Sequence, residues 1–419
     1  MEGAAPPSAL LLLPAPTSFT RSSLGTACGP TLSSLLPFVA KSVKGTDDIA
    51  RLDVAVVLPE FINIKDTPRA ILFAQTQTLL TELYTLLCLI AVEHGVELDF
   101  PGGVDVRIFM LEAIREAPET SVNYAFSGPL IDMATLVASR ARIYDPIFSM
   151  ESEEGEHILQ AFLKLHSVLP NPSPPNVRRM IGGTSIATPS QKSDARQAAT
   201  EPLHPPPPHH SVIVGGTFDH LHIGHKLLLT ATALVLSPSP SPSPISNRLI
   251  TIGITGDELL VNKKFASEVE SWDVRQQKTA DFLESIFAFP TASSSSRRSE
   301  TISEPGPNGH VVRVTFLSVA SGSTTTINYT RISDPYGPTI VDEKISALVI
   351  SQETRAGGKA VNDRRREKGW AELEVFEVDV LDASPRLEDD DVGGPRKETF
   401  ESKISSTEIR GRLAEMRVK

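Results

Sequence analysis

One stretch of the sequence combines glycine, histidine and a helix start in a way that suits phosphate chemistry. An apolar run leads into Gly215 and Gly216, and His222 and His225 follow just before an apolar helical pattern. The free N–H groups and the dipole of a helix N-terminus favour anions, and glycines let a ligand approach the backbone closely. Thr217 adds a hydroxyl that can donate to a phosphate oxygen. The pattern predicts a phosphate-binding site between a strand and a helix.

A second segment near the C-terminus also predicts a helix start. Ser405 is followed three residues later by Glu408, the spacing of a capping box that opens a terminal helix. Asp219 lies in the turn between the strand and the helix of the first segment, where we expect it to stabilise the loop backbone rather than bind a metal. By its composition alone, the basic run 364–366 is as typical of a solvated helix face as of a binding site.

The elements that position these residues belong to an α/β fold. Residues 211–419 alternate apolar runs with helical patterns, which predicts a parallel sheet with crossover helices. The runs are Val212 to Val214, Leu249 to Ile254, Val311 to Leu317, Ala347 to Ile350 and Leu373 to Val380.

Residues 1–169 show the same rhythm on a smaller scale and predict a smaller α/β domain that precedes the first. The apolar runs are Leu10 to Leu13, Val54 to Leu58 and Val104 to Met110, and Thr76 to Val92 is a long helical pattern. The run at 10–13 resembles a signal-peptide core, but no basic residue precedes it and Pro14 follows, so we expect a buried strand. We find no phosphate loop or nucleophile motif here, and we expect a scaffold or a docking module.

Four segments lack the apolar content to pack. Residues 170–210 are rich in Pro and Ser and predict a disordered linker, and loop insertions are expected near 237–247, 290–309 and 384–398. The linker histidines His204, His209 and His210 are expected to be solvated rather than metal ligands.

The composition excludes several classes of function. A net charge of -11 disfavours binding to nucleic acid or to an anionic membrane, and no apolar stretch reaches the length of a membrane span. Two cysteines, Cys28 and Cys88, are too few for a disulfide framework and are expected to be apolar fillers in a reducing compartment. We expect a cytoplasmic location, with mitochondrial association as the alternative.

The glycine and histidine segment, read as Gly-Thr-Phe-Asp-x-x-His-x-Gly-His, resembles the HxGH nucleotidyltransferase superfamily, whose domains are Rossmann-like. The resemblance implies that His222 and His225 are catalytic, binding the nucleotide phosphates and stabilising the departing pyrophosphate, and that Gly224 leaves room for the base. It also implies a similar role for the C-terminal Ile-Ser-Ser-Thr segment on the β- and γ-phosphates. The ATP- and phosphate-binding residues implied in this way are Gly215, Gly216, Thr217, Phe218, Gly224, Ser405, Ser406, Thr407 and Arg410.

The stretch between these motifs is similar to the eukaryotic phosphopantetheine adenylyltransferases, including the domain fused within animal CoA synthases. The similar residues are Asp334-Pro-Tyr-Gly-Pro338 and the run from Leu348 to Asn362. This resemblance implies transfer of AMP from ATP to 4′-phosphopantetheine, giving 3′-dephospho-CoA and pyrophosphate. It implies a catalytic lysine at Lys263, with Lys264 as the alternative. It also implies an ATP-binding arginine at Arg365, with Arg364 and Arg366 as alternatives.

Such a reaction needs no general base, because a phosphate monoester is largely ionised near neutral pH and the work falls to positioning and electrostatics. Mg²⁺ is expected with ATP, and no metal site made by the protein alone. The expected partners are ATP, 4′-phosphopantetheine and other enzymes of the CoA pathway. Two alternatives stay open: a cytidylyltransferase acting on an alcohol phosphate, and a non-catalytic scaffold of the CoA pathway.

Overall fold

The computed structural model describes residues 8–59, 64, 67–114, 126–139, 142–183, 206–238, 247–290, 295–318, 322–379, 381 and 406–418. Within them, two β-sheets and their helices form two α/β domains joined by one continuous hydrophobic core. The predicted fold class, a Rossmann-like domain preceded by a second α/β domain, is confirmed.

The first domain is built on a six-stranded parallel sheet in the order β4-β3-β2-β1-β5-β6. Its strands are β1 (Ser8–Leu13), β2 (Ala50–Val57), β3 (Val104–Leu111), β4 (Leu130–Ile131), β5 (Ile147–Glu151) and β6 (Val177–Ile181). Its helices are α1 (Arg21–Lys41), α2 (Arg69–His94), α3 (Met133–Ala138) and α4 (Glu153–Ser167). The predicted runs at 10–13, 54–58 and 104–110 fall on the central strands, which are mostly apolar because both of their faces are buried. The charged exceptions are Arg51, Asp53, Asp105 and Arg107.

The second domain has a seven-stranded sheet in the order β13-β12-β7-β8-β11-β10-β9. Its strands are β7 (Ser211–Gly216), β8 (Asn247–Thr255), β9 (Ser295–Ser303), β10 (His310–Ser318), β11 (Thr324–Ile332), β12 (Ala347–Ser351) and β13 (Glu374–Val378). Its helices are α5 (Ile223–Val235), α6 (Trp272–Phe287), α7 (Arg355–Glu367) and α8 (Ser406–Val418). The first five strands in this order are parallel, and β10 is antiparallel to both β11 and β9.

Helix α2 joins the two domains. It is buried around most of its circumference, as expected for a helix with apolar residues on every side, and it packs against both α1 and α5. Phe73 makes an edge-to-face contact with Phe376 of β13 at 5.0 Å between ring centroids. Gln77 Nε2 donates to Asp379 Oδ2 at 3.1 Å. The predicted helix over Thr76 to Val92 therefore also forms the contact between the domains.

Two of the segments predicted to be unstructured contain strands. Residues 177–181 of the predicted linker form β6, and residues 295–303 of the predicted insertion form β9, paired along its whole length with β10. Both are edge strands held by backbone hydrogen bonds, and neither shows the alternation of apolar and polar residues that marks a half-buried strand: β6 reads Val-Arg-Arg-Met-Ile, and β9 is almost entirely polar. Residues 184–205, the predicted insertion at 384–398 and most of the one at 237–247 lie outside the described residues.

The prediction for His209 is also wrong. Its ring is buried, with Nδ1 3.0 Å from Ser346 Oγ and Nε2 2.9 Å from Glu374 Oε2. It therefore fastens the start of the second domain to β12 and β13, which a proline-rich context does not suggest. Cys28 and Cys88, by contrast, are free and buried, as predicted.

Candidate active site

The phosphate loop predicted from the sequence lies where the strand order of the second sheet reverses. From β7 the chain crosses to β8 on one side and later returns to β12 on the other side. In parallel α/β sheets, ligands bind in the crevice at the carboxyl ends of two such strands. Gly215 and Gly216 end β7, and Ser351 ends β12, so all three lie at this crevice.

The two glycines differ in their surroundings. A Cβ at Gly215 would meet open space, whereas one at Gly216 would lie 3.0 Å from the ring of Phe218. Phe218 itself is fully buried, with a φ of 51° that places its backbone in the left-handed region. Phe218 thus packs beneath the loop. Gly215, with free space above its backbone, is the glycine that can approach a ligand.

The loop backbone is held from below by Asp219. Its Oδ1 accepts from Glu270 N at 2.9 Å, and its Oδ2 accepts from Arg410 Nη1 at 2.5 Å. This is the backbone-stabilising role predicted for Asp219. Arg410 also donates from Nε to Lys264 O at 3.0 Å, so this buried guanidinium joins the loop, the segment after β8 and helix α8. The structure therefore gives Arg410 a positioning role in place of the predicted direct contact with phosphate.

A second buried arginine, Arg275 of α6, was not identified from the sequence. It donates from Nη1 to Thr217 O at 2.6 Å, and from Nη2 to Thr255 O at 2.8 Å and to Asp257 Oδ1 at 2.6 Å. It therefore ties the phosphate loop to the end of β8. Its only sequence signal is an arginine within a helical pattern 50 residues or more from the loop it supports, and that signal is not specific.

The two histidines predicted to be catalytic lie together at the start of α5. Their rings are stacked with centroids 3.9 Å apart. His222 is the N-cap, and its Nδ1 accepts from Gly224 N at 3.2 Å. Because Nδ1 is the acceptor, this hydrogen bond assigns the proton of the neutral ring to Nε2. A Cβ at Gly224 would lie 3.1 Å from His222 Cε1, so glycine keeps the ring in its capping position.

Both imidazoles are neutral at physiological pH. Desolvation by burial, and then the nearby Lys226 and His220, lower the pKa of His222 to about 3. Burial and the neighbouring His222 and His220 also hold the pKa of His225 well below its ordinary value. His225 Nδ1 is buried without a hydrogen-bond partner among the described residues. Each neutral ring therefore offers one N–H donor and no positive charge.

Helix α8 brings its N-terminus to the same loop. Ser406 Oγ donates to Asp219 O at 2.8 Å and lies 3.4 Å from His222 Nε2. Thr407 is exposed on the first turn, and its Oγ1 accepts from Arg410 Nη2 at 3.1 Å. Ser405 lies outside the described residues. The structure thus places Ser406 beside His222, so that the first turns of α5 and α8 adjoin.

Lys263 and Lys264 lie in the turn that follows β8, and both are exposed. The backbone of Lys264 is attached to α8 through Arg410, and its ammonium lies 5.2 Å from the ring of Phe265. Lys263 Nζ has no hydrogen bond or ion pair to any residue that the structure describes. The catalytic role of Lys263 stays a prediction.

The predicted contact of Arg365 with ATP is corrected by the structure. Arg365 is fully buried, and all five of its N–H groups donate to backbone carbonyls. The acceptors are the carbonyl oxygens of Ala371, Thr339, Asp342, Glu343 and Ile345. The guanidinium therefore closes the loop between β11 and β12. Arg364 and Arg366, the two alternatives, are exposed and pair with Glu367 and Glu372 respectively.

Taken as chemistry, the site offers hydrogen-bond donors to a multiply charged anion. Two helix N-termini that adjoin each other and two neutral imidazoles follow a loop that begins at Gly215, whose backbone has open space around it. Among the residues that the structure describes, no three His, Cys, Asp or Glu side chains meet as a metal site. None of the helices in the described ranges has the length and apolar character needed to cross a membrane.

A family model and several relatives each match part of the chain. Residues 1–186 match a family described as a domain of unknown function (DUF8446). An uncharacterized protein of Schizosaccharomyces pombe is 33% identical over 206 residues, which cover 49% of this chain and 49% of its own length. Phosphopantetheine adenylyltransferase of Saccharomyces cerevisiae is 31% identical over 201 residues, covering 48% of each chain. The chain thus spans about half the length of these two fungal relatives.

A shorter relative is matched over most of its length. Phosphopantetheine adenylyltransferase of Pyrobaculum aerophilum is 30% identical over 172 residues, which cover 41% of this chain and 80% of that protein. A solved structure, titled as a protein with unknown function from Archaeoglobus fulgidus, is 21% identical, with a TM-score of 0.25, and covers 40% of this chain and 98% of its own. By its similarity to the archaeal enzyme, the chain belongs to the phosphopantetheine adenylyltransferase family.

Proposed function

We propose that the chain transfers AMP from ATP to 4′-phosphopantetheine, giving 3′-dephospho-CoA and pyrophosphate. In this reaction a phosphate oxygen of 4′-phosphopantetheine attacks the α-phosphorus of ATP, and the bond from that phosphorus to the β-phosphate oxygen breaks. The observation that carries the proposal is the stacked pair of His222 and His225 at one helix start, with Ser406 of a second helix start beside it. The names of the fungal and archaeal relatives support the choice of substrates.

Each group has a distinct task in this proposal. His222 and His225 donate hydrogen bonds from Nε2 to phosphate oxygens, and charge builds up on these oxygens as pyrophosphate departs. Ser406 and Thr407 hold the terminal phosphates at the start of α8, and Gly215 lets the nucleotide lie close to the sheet edge. Lys263 brings a positive charge between the two reacting phosphates, which otherwise repel each other.

Mg²⁺ fits this site as an ion carried by ATP. Both carboxylate oxygens of Asp219 already accept hydrogen bonds, so the phosphate loop has no carboxylate to offer as a ligand. Mg²⁺ would therefore enter the site with ATP rather than on a protein carboxylate, and it would neutralise charge on the leaving group.

Pyrophosphate release tests the proposal directly. The purified full chain is incubated with each nucleoside triphosphate and Mg²⁺, with either 4′-phosphopantetheine or an alcohol phosphate as the acceptor, and the nucleotide product is identified. We expect turnover with ATP and dephospho-CoA as product. Turnover only with CTP and an alcohol phosphate would instead identify a cytidylyltransferase, and no turnover with any substrate would indicate a non-catalytic scaffold.

The role of His225 can be tested by substitution. His225→Ala should lower kcat on the order of a hundredfold, because a donor to the departing phosphate is lost. His157→Ala, the same change at an exposed position of α4, is the matched control and should leave turnover unchanged. If both variants turn over at the wild-type rate while folded, as judged by circular dichroism, the site is not where the reaction occurs.

A further inference from the structure

Lys226, which follows His225 in the first turn of α5, points away from the active site and into the first domain. Its ammonium donates to the Asp99 carboxylate, to Asp105 Oδ1 at 2.5 Å and to Val106 O at 3.3 Å. All three acceptors belong to the loop before β3 or to β3 itself, so the helix that carries the histidine pair is fastened to the other domain.

The contact is buried and electrically balanced. Lys226 is 2% exposed, and a buried ammonium without a partner is strongly disfavoured. Asp99 and Asp105 supply two negative charges, and Arg107 adds a positive one by donating from Nη2 to Asp105 Oδ2 at 2.5 Å. The four side chains therefore form a neutral cluster. Because Lys226 comes from the second domain and the other three from the first, the cluster requires the two domains to be packed together.

The same segment of the first domain also reaches α8. Arg412 Nη1 lies 3.4 Å from Glu97 Oε2, and its guanidinium lies 5.0 Å from the centroid of the Phe100 ring. The segment itself is tightly turned, because Gly102 has a φ of 76° and a Cβ at Gly103 would lie 2.2 Å from Glu97 O. One turn of the first domain thus contacts both of the helices whose N-termini form the phosphate site.

We propose that residues 97–105 are a positioning segment of the active site, which holds α5 through Lys226 and α8 through Arg412. The domain of unknown function matched over residues 1–186 then serves the transferase directly, because it fixes the distance between His225 and the start of α8. The inference rests on the proposed function for the identity of the reaction. The fastening of the two helices can be measured without it.

Four variants of the full chain test the proposal. Asp99→Asn/Asp105→Asn removes the acidic partners, Lys226→Met removes the ammonium, and the triple variant removes all three of these charges, so that Arg107 is the one charge of the cluster that remains. Glu156→Gln, which breaks the exposed pair with Arg179 in the same domain, is the matched control. Hydrogen exchange of peptides from α5 and α8 is measured together with kcat and KM.

We expect faster exchange in α5 for all three cluster variants and a fall in kcat on the order of tenfold to a hundredfold, since small displacements of catalytic groups have effects of this size. The kcat of the triple variant should be no lower than that of Lys226→Met, because the effects of groups in contact with each other are not additive. The control should match the wild type in both readouts. A folded triple variant with wild-type exchange in α5, or with wild-type kcat, would overturn the proposal. Absence of turnover in the wild type would refute the proposed function but not the positioning role of residues 97–105. The exchange data would still decide whether that segment holds α5.

Discussion

The protonation of the histidine pair follows from burial and not from an acidic partner. Both rings stack on each other beneath the loop, and neither forms an ion pair with a carboxylate in the described part of the chain. A neutral imidazole can donate to a phosphate oxygen without the cost of holding a buried charge when the site is empty. A bound polyphosphate would favour the protonated form, so binding and proton uptake should be coupled.

This burial predicts a specific pH dependence of stability. The pKa of His222 is about 3 in the folded protein and near 6.5 in an unfolded chain. Between these values the unfolded state binds the extra proton, so the free energy of unfolding falls as the pH is lowered, by at most about 1.4 kcal/mol per pH unit. His222→Gln should make the dependence shallower between pH 6.5 and 4, as measured by urea unfolding.

The comparison of the wild type with His222→Gln is needed because Asp99 changes the free energy of unfolding with pH in the opposite direction. Burial raises its pKa to about 6, so its contribution to the unfolding free energy rises as the pH falls. Both proteins carry Asp99, and its effect cancels in the difference. Equal slopes for the two proteins would contradict a depressed pKa at His222.

Arg365 provides a second test at the scale of single residues. Arg365→Lys keeps the charge but offers three donors in place of five, so buried carbonyls lose their partners. We expect the free energy of unfolding to fall by about 3 kcal/mol, with little change in the KM for ATP of the folded protein. Arg364→Lys, on the exposed face of the same helix, should change stability by less than about 0.5 kcal/mol. A higher KM for ATP without loss of stability would restore the binding role predicted from the sequence.

At the scale of elements, the site and the start of α5 are built by the same residues. Helix N-caps are usually Ser, Thr, Asp or Asn, but here His222 caps the helix with its ring nitrogen. The two-residue spacing from His222 to Gly224 is the one that the hydrogen bond to Gly224 N requires. Local helix formation therefore sets the orientation of a predicted catalytic ring.

Gly224→Ala should separate stability from activity. Alanine favours a helix over glycine by up to about 1 kcal/mol, but its Cβ would press on the ring of His222. We expect kcat to fall at least tenfold while the melting temperature changes little, because displacement of the ring offsets the helical gain. Gly25→Ala in α1, where a Cβ meets open space, is the control and should raise the melting temperature with kcat unchanged. Unchanged kcat in Gly224→Ala would show that the ring position is not critical.

Elements with a strong local pattern were predictable from the sequence. The buried strands β1, β7 and β12 contain uninterrupted apolar runs, and β2, β3 and β8 are mainly apolar, because a parallel strand is covered on both faces. The turn from β7 to α5 was equally visible, since its glycines and histidines are close together in sequence, and its binding of phosphate stays a prediction. Edge strands β6 and β9 were missed because backbone pairing leaves no apolar signature in exposed side chains.

Groups that act over long sequence distances were not predictable. Arg275 and Arg410 each support the phosphate loop from a distant helix, and Lys226 binds a domain more than 100 residues away. In each case the buried charge and its partners are far apart in sequence and meet only in the folded chain. Arg365 was misassigned for the same reason, because a basic run does not reveal which of its members is buried.

At the scale of the whole molecule, the two domains are one packing unit. Phe109 of β3 contacts Phe289 at 5.3 Å between ring centroids, and Phe126 stacks on Phe316 of β10 at 5.0 Å. Arg248 Nη2 also donates to Phe126 O at 2.6 Å. Interfaces between independent domains are usually more polar than this continuous apolar core, so we do not expect the domains to move as separate bodies.

Unfolding experiments can test whether the two domains unfold together, because tryptophan fluorescence reports on the second domain only. Both of its tryptophans, Trp272 and Trp370, lie in the second domain, whereas far-ultraviolet circular dichroism reports on helices and strands of both domains. If the shared core makes unfolding cooperative, the urea curves from the two probes should coincide, which is the usual test of two-state behaviour. Asp99→Asn/Asp105→Asn removes charged contacts between the domains and should shift the fluorescence midpoint of the second domain downwards, although it changes only the first. Two results together would show that the domains unfold independently. The dichroism transition would occur at a lower urea concentration than the change in fluorescence, and the fluorescence midpoint would be the same in the wild type and in Asp99→Asn/Asp105→Asn.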